Sequence, residues 1–173
     1  MPEDQAQLRT FAPNAVHLVR TTQMINVSLS QMADQKASIL MGATFVSFTL
    51  GIGQANKQGL TLSLAILIAF AFMSALLAVF AIMPSVRAKP NTNTNILFFG
   101  YFTQMSEEEY VNTLLERLET DEGFYRTMIR DIYQNGMVLQ HKKYKFLGYA
   151  YRMFLAGMTL TVLSFVAERL HFI

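Results

Sequence analysis

The sequence predicts an all-α membrane protein with three transmembrane helices, and three observations carry that prediction. Residues 37–53 and 60–83 are two uncharged runs separated by a short polar gap. Residues 146–167 form a third apolar run that holds one charge, Arg152. Lysine and arginine collect on alternate sides of these runs. Bunched apolar stretches of about 18 residues mark spanning helices, not the surface helices of a soluble domain. Composition agrees, with 52% hydrophobic and 15% charged residues.

Residues 1–13 read as a frayed polar tail. They lack the basic start and apolar centre of a signal peptide, so the first span is expected to direct insertion. Asn14, after Pro13, is a plausible N-cap. No glycine or proline follows until Gly42, and one helix is expected over 14–53. At 1.5 Å per residue it is roughly 60 Å long, about twice the hydrocarbon thickness. Its first half must therefore lie outside the bilayer. Leu18, Ile25, Leu29 and Met32 recur at helical spacing, and that stripe calls for a partner helix. The 17 uncharged residues 37–53 make a slightly short span, which a snorkelling Lys36 would extend.

A six-residue polar turn, 54–59, leads into the second span. Gly51 and Gly53 are read as letting the chain turn. Small residues four apart in the spans (Ser38 and Gly42, Ser47 and Gly51, Ala71 and Ala75, Ser74 and Ala78) allow close helix approach. Pro84 stops the second span. Residues 84–95 are a linker. The aromatic stretch 96–102 is too short to span, and pattern alone leaves a buried strand and a membrane-surface loop both open. Ser106 and Glu109 form a capping box that starts an amphipathic helix over 106–119. Asp121 is the expected cap of the next helix, with Tyr125, Met128, Ile129 and Ile132 on its buried face. That helix is expected to run through Lys142, Lys143 and Lys145 into the third span.

The positive-inside rule sets the orientation. Arg9, Arg20 and Lys36 precede the first span, and only Lys57 lies in the turn. Eight basic residues lie in 84–145. The N-terminus is therefore expected inside and the C-terminus outside. Domain organisation follows: 1–36 is a cytoplasmic tail and helix, 37–83 a transmembrane hairpin, 84–145 a cytoplasmic helical segment, and 146–173 the third span with a short outer tail. The lipid bilayer is the first expected partner.

Several chemistries are poorly supported. With no cysteine, disulfides, thiol catalysis and cysteine-held metals are excluded. His17, His141 and His171 stand alone, without ligand spacing. No G-x-S-x-G, P-loop or G-x-G-x-x-G occurs, and serines within spans commonly bond to backbone. The expectation is a protein that is not an enzyme and has no metal or cofactor. A net charge of +2 is too small to point to a nucleic acid polymer.

The charged collar before the first span is more informative. Asp34 and Lys36 sit where the helix enters the membrane, and a charge at that depth is a functional candidate. The plain alternative is an interfacial anchor, which suits Lys36 better than Asp34. Asn26, eight residues earlier, falls roughly on the face of Asp34. Arg126, Arg130 and Asp131 either face that pocket or form a solvated side. Arg152, inside the third span, either snorkels, lines a wet passage or pairs with Asp34.

Three separated segments resemble a known family. They are R-T-T-Q-M-I-N-V-S-L-S-Q-M-A-D-Q-K-A-S-I-L (from Arg20), N-I-L-F-F-G-Y-F (from Asn95) with S-E-E-E-Y (from Ser106), and R-D-I-Y-Q-N-G (from Arg130) leading to A-Y-R-M-F-L-A-G (from Ala150). In this order they look like the transmembrane effectors of Pycsar anti-phage systems, over about residues 14–168. Some relatives carry an HD phosphohydrolase domain. This sequence shows no H…HD constellation, so that activity is not carried over.

The resemblance implies an inner-membrane effector of abortive infection. A neighbouring pyrimidine cyclase would supply cyclic UMP or cyclic CMP, and the effector would then impair the membrane. The corresponding expectation is a homo-oligomer whose cytoplasmic helices form a vestibule. Arg126 or Arg130 would meet the phosphate, Tyr125 or Tyr133 would stack on the base, and Asn26 would read an edge. Asp34, Lys36 and Arg152 would couple that event to the bilayer. The competing reading is a non-enzymatic membrane scaffold that docks a cytoplasmic partner protein.

Overall fold

A computed structural model describes residues 9–84 and 95–170. The first eight residues of the tail, linker residues 85–94, and the last three residues with His171 lie outside them. Among the described residues there are helices and no strand. The helices are α1 (Ala15–Gln58), α2 (Leu62–Ile82), α3 (Phe99–Phe102), α4 (Glu107–Leu118), α5 (Asp121–Val138), a π-helical turn (Leu139–Tyr144) and α6 (Lys145–Arg169). Three are long and apolar enough to cross a membrane: α1, α2 and the continuous helix Asp121–Arg169.

The first helix is longer than expected. It does not stop at Gly53 but continues to Gln58, and the polar residues 54–58 form its last turn. The stop is Gly59, whose positive φ of 85° provides the left-handed C′ position. Its N–H bonds Ala55 O at 2.9 Å. Thr61 then caps α2 through Leu64 N. Gly51 does not turn the chain; it makes room. A Cβ there would lie 2.8 Å from Ile68 Cγ1.

The fold has two units: Met1–Ser28 with Pro84–Met137, and Leu29–Met83 with Val138–Ile173. Two of the three boundaries fall inside continuous helices, α1 and the helix Asp121–Arg169, and the third follows the end of α2.

In the first unit the local chemistry starts each short helix. Asn95 Oδ1 accepts from Leu97 N at 3.0 Å, an Asx turn that leads into α3. The aromatic stretch is thus no strand: residues 96–98 turn, and Phe99–Phe102 make one helical turn. Ser106 Oγ accepts from Glu109 N at 3.2 Å, as a capping serine should. Thr120, not Asp121, caps α5, accepting from Gly123 N at 3.1 Å. Gly123 permits the sharp α4–α5 turn, because a Cβ there would strike the Arg117 carbonyl. The deepest positions on α5 are polar, Thr127 and Asp131, while Ile129 is 53% exposed. The expected apolar face is therefore rotated. Asp131 pulls it round, accepting from Asn95 at 2.7 Å and Gln23 at 3.2 Å. A buried carboxylate must keep such donors, and that requirement outranks the burial of one isoleucine.

The second unit is a three-helix bundle with a core of small residues. Ala33 and Ala37 of α1, Ala81 of α2 and Leu147 of α6 form one cluster. Leu40, Ala78 and Ala150 form the next. Lipid leaves little hydrophobic drive between helices, so close backbone approach and interhelical hydrogen bonds hold such bundles. Ser74 Oγ donates to Ala150 O at 2.8 Å inside the core. Of the small residues singled out in the sequence, Gly51, Ala71, Ser74 and Ala78 are buried, whereas Ser38 and Gly42 face outward.

Of the expected stripe Leu29 is half-buried, but among the described residues no helix of this chain covers Leu18, Ile25 and Met32. These three are 71, 52 and 44% exposed. The inward face of α1 includes Gln23, Asn26, Ala33, Ala37, Leu40 and Thr44. Hydrogen bonds claim the polar pair, and alanine lets the helices approach closely.

Candidate functional site

Two sites hold charge where a function can use it, one in each unit. In the first unit, Glu122, Tyr125, Arg126, Ile129, Arg130, Tyr133 and Gln134 lie along one side of α5, at the three- and four-residue spacing of a helix face. Arg9 and Phe11 line the same side and complete an open cleft of about 470 Å³. Small-molecule sites run from about 300 to 1,000 Å³. The Phe11 and Tyr125 rings sit 4.5 Å apart, tilted by 41°. Phe124 meets the edge of Tyr125 at 5.3 Å.

Three guanidinium groups line this cleft against one carboxylate. Arg126 donates to Glu122, one helical turn away. That hydrogen bond holds the Glu122 carboxyl below the ordinary carboxylate range, and the nearby charge of Arg9 acts in the same direction. Arg9 and Arg130 form no ion pair among the described residues. The cleft thus keeps an excess of positive charge beside aromatic faces. Planar guanidinium groups match phosphate oxygens, and aromatic faces accept a base.

Of the five residues the sequence nominated for a ligand, Tyr125, Arg126, Arg130 and Tyr133 line this one cleft. Asn26 does not; its Nδ2 donates to Ile132 O at 3.0 Å. Arg9 and Phe11 were missed. They lie more than a hundred residues away in what read as a frayed tail, where no periodicity marks them.

In the second unit, Asp34 has a definite partner, Lys143 of the π turn. Its Nζ lies 2.7 Å from both carboxylate oxygens and 2.7 Å from Ser30 Oγ. The proposed pairing with Arg152 is not formed; Arg152 is exposed and has no ion pair among the described residues. Lys36 is also exposed, and its backbone carbonyl accepts from Tyr151 at 3.2 Å. Lys142 donates to Met83 O at 2.7 Å, at the negative C-terminal end of α2. One level of the bundle is thereby tied across all three helices. At the other end, Glu168 accepts from Ser63 N and Oγ, both at 2.9 Å. Sequence spacing did not reveal Lys143, because the π turn shifts the phase of the helix that carries it.

His17 and His141 are both exposed. Among the described residues no group of histidine, aspartate and glutamate is placed to hold a metal ion.

These features define an all-helical membrane protein with three candidate spans and a separate helical unit that carries a basic, aromatic cleft. The chain belongs to the Pycsar effector family: the family described as the Pycsar effector protein domain matches residues 17–168. Its role is that of an effector in anti-phage defence. Comparison with curated proteins and with solved structures finds no match.

Proposed function

We propose that this protein is a ligand-gated, non-enzymatic effector of the bacterial inner membrane, with its N-terminus inside and its C-terminus outside. A cyclic pyrimidine nucleotide, cyclic UMP or cyclic CMP, binds the α5 cleft, and the bound state impairs membrane integrity in the infected cell. One observation carries this reading: Arg9, Arg126 and Arg130 converge with Phe11, Tyr125 and Tyr133 on one cleft. A cyclic mononucleotide presents a single phosphodiester charge and a flat base. The cleft offers the complementary pair of features. An adjacent pyrimidine cyclase would supply the ligand.

The coupling follows from helix continuity. The helix that carries Tyr125, Arg126 and Arg130 continues through the π turn into α6. A ligand shifts such a protein only by binding one conformation better than another. The Asp34–Lys143 pair lies on that route, where a change in the π turn would make or break it. Lys36 and Arg152 are left as anchors at the interface.

Calorimetry on the purified protein, with a membrane-potential dye in cells, tests the proposal. Cyclic UMP or cyclic CMP should bind, and its supply should depolarise cells that express the protein. Arg130→Ala should weaken binding at least about tenfold, the scale of one charged hydrogen bond, with helicity unchanged. Unchanged binding in Arg130→Ala, or turnover of the nucleotide by the purified protein, would sink this reading.

A scaffold reading draws on a different observation. Helix α4 has no buried residue and exposes Val111, Leu115 and Leu118 along one side. A stable cytoplasmic protein partner lost in Leu115→Glu, with membranes indifferent to nucleotide, would favour it.

A further inference from the structure

We infer that α1 is the self-association seam of this protein, and that its partner is the α1 helix of a second, parallel copy. In the first unit, α1 leaves Leu18 and Ile25 exposed, at 71 and 52%. In the second, the same helix leaves Met32, Ile39 and Val46 exposed, at 44, 63 and 55%. All five stand seven residues apart. Other exposed apolar residues on the early part of α1 do not repeat. Met24 is 64% exposed, but seven residues on stands Gln31. Val27 is 53% exposed, but seven residues on stands Asp34.

A strict seven-residue apolar repeat keeps one line of side chains facing the same neighbour when two helices wind in a left-handed supercoil, and the small or polar residues three positions on (Thr21, Ser28, Gln35, Gly42 and Thr49) leave that line one apolar position wide. This seam is distinct from the inward one. Gln23, Asn26, Ala33, Ala37, Leu40 and Thr44 already face this chain's own helices. The exposed register falls one residue earlier, about 100° round the helix.

The surroundings identify the occupant. A bilayer accommodates about 20 residues of helix. The 44 residues of α1 therefore extend well beyond it. Lipid covers Ile39 and Val46 adequately, but not Leu18 and Ile25, which are interleaved with Gln23, Asn26, Ser28 and Gln31. Water suits this stretch no better, because no charge occurs between Arg20 and Asp34. Depletion of charge around apolar anchors is the composition of a protein interface. The partner must run beside α1 from water into lipid while keeping the same register. A second copy of α1, inserted with the same orientation, meets that requirement along its whole length, and symmetric self-assembly is the commonest form of oligomer.

The test is the mass of the full-length protein in mild detergent, by light scattering with the detergent contribution subtracted. No nucleotide is added, so the outcome is independent of the cleft. Wild type should run as a multiple of 19.6 kDa. Ile25→Glu should reduce it to the monomer, and Val27→Glu, 200° round the helix from Ile25, should leave the assembly intact. Ile25→Gln, a milder change, should show the same loss with unaltered helicity, which separates dissociation from unfolding. A monomeric wild type, full assembly in both Ile25 variants, or equal loss in the Val27 variant would overturn the inference.

Discussion

Asp34 illustrates how one side chain acquires meaning from its partner. It is 45% exposed and Lys143 is 20% exposed, so solvent screens the pair, and little stability follows from it. Its value is positional, because it joins α1 to the π turn. Asp34→Ala should insert normally and lose effector toxicity in an expression assay. Exchanging the charges, with Asp34→Lys and Lys143→Asp together, should restore part of it. Full toxicity from Asp34→Ala would reduce the pair to an anchor. Glu122 permits a pH test in the other unit. Its carboxyl is held below its ordinary value of 4.5 by Arg126. A depressed folded pKa contributes stability above the unfolded value and loses it as pH falls through the folded one. Thermal melts of wild type and Glu122→Gln should differ by a constant amount from pH 8 to pH 5.5. The difference should shrink below about pH 4.5. A difference that grew on acidification would contradict this sign.

At the scale of the element, glycine separates packing from tolerance. Gly157 of α6 faces Phe70 of α2 so closely that a Cβ would overlap the phenylalanine's own Cβ. That atom is fixed to the backbone and cannot swing away. Gly157→Ala should destabilise the bundle by about 1–3 kcal/mol, the cost of overpacking a filled core. Gly42 meets nothing within 4 Å, so Gly42→Ala should leave the bundle as stable as wild type or stabilise it by up to about 1 kcal/mol, alanine being the better helix former. Reversible unfolding in mixed detergent measures both, and equal effects would refute the packing argument. Capping shows the same division. Ser106 was legible because serine followed three residues later by glutamate has one strong reading. Thr120 was not, because Asp121 beside it is an equally good cap by residue type. The tight turn at Gly123 decided between them.

For the whole molecule, two helices carry the organisation, since two of the three unit boundaries cut through them. Nothing in the basic cleft of the first unit needs a membrane, and nothing in the small-residue core of the second needs a ligand. The ligand-gated effector proposed above needs both, joined by elements stiff enough to transmit a change. Continuous helices meet that need, and the π turn supplies a place where one of them can alter its phase.

Three candidate spans and the helical character of the rest could be read from the sequence alone, and α2 begins and ends within two residues of the expected run. Hydrophobic run length and helix breakers are local properties, and lipid leaves the backbone few alternatives. The arginines and tyrosines of α5 were legible as residue types suited to a nucleotide. Their joining with Arg9 and Phe11 was not, because contact across more than a hundred residues leaves no trace in spacing. The face that each helix turns inward was also a tertiary decision. Leu18, Ile25 and Met32 looked like the buried stripe by hydrophobicity, and Ile129 looked buried on α5. The structure instead buries Asp131 with its amide donors and seats alanines where helices approach most closely. Satisfying a buried carboxylate and bringing backbones together are requirements of the assembled bundle, and no single helix reveals them in advance.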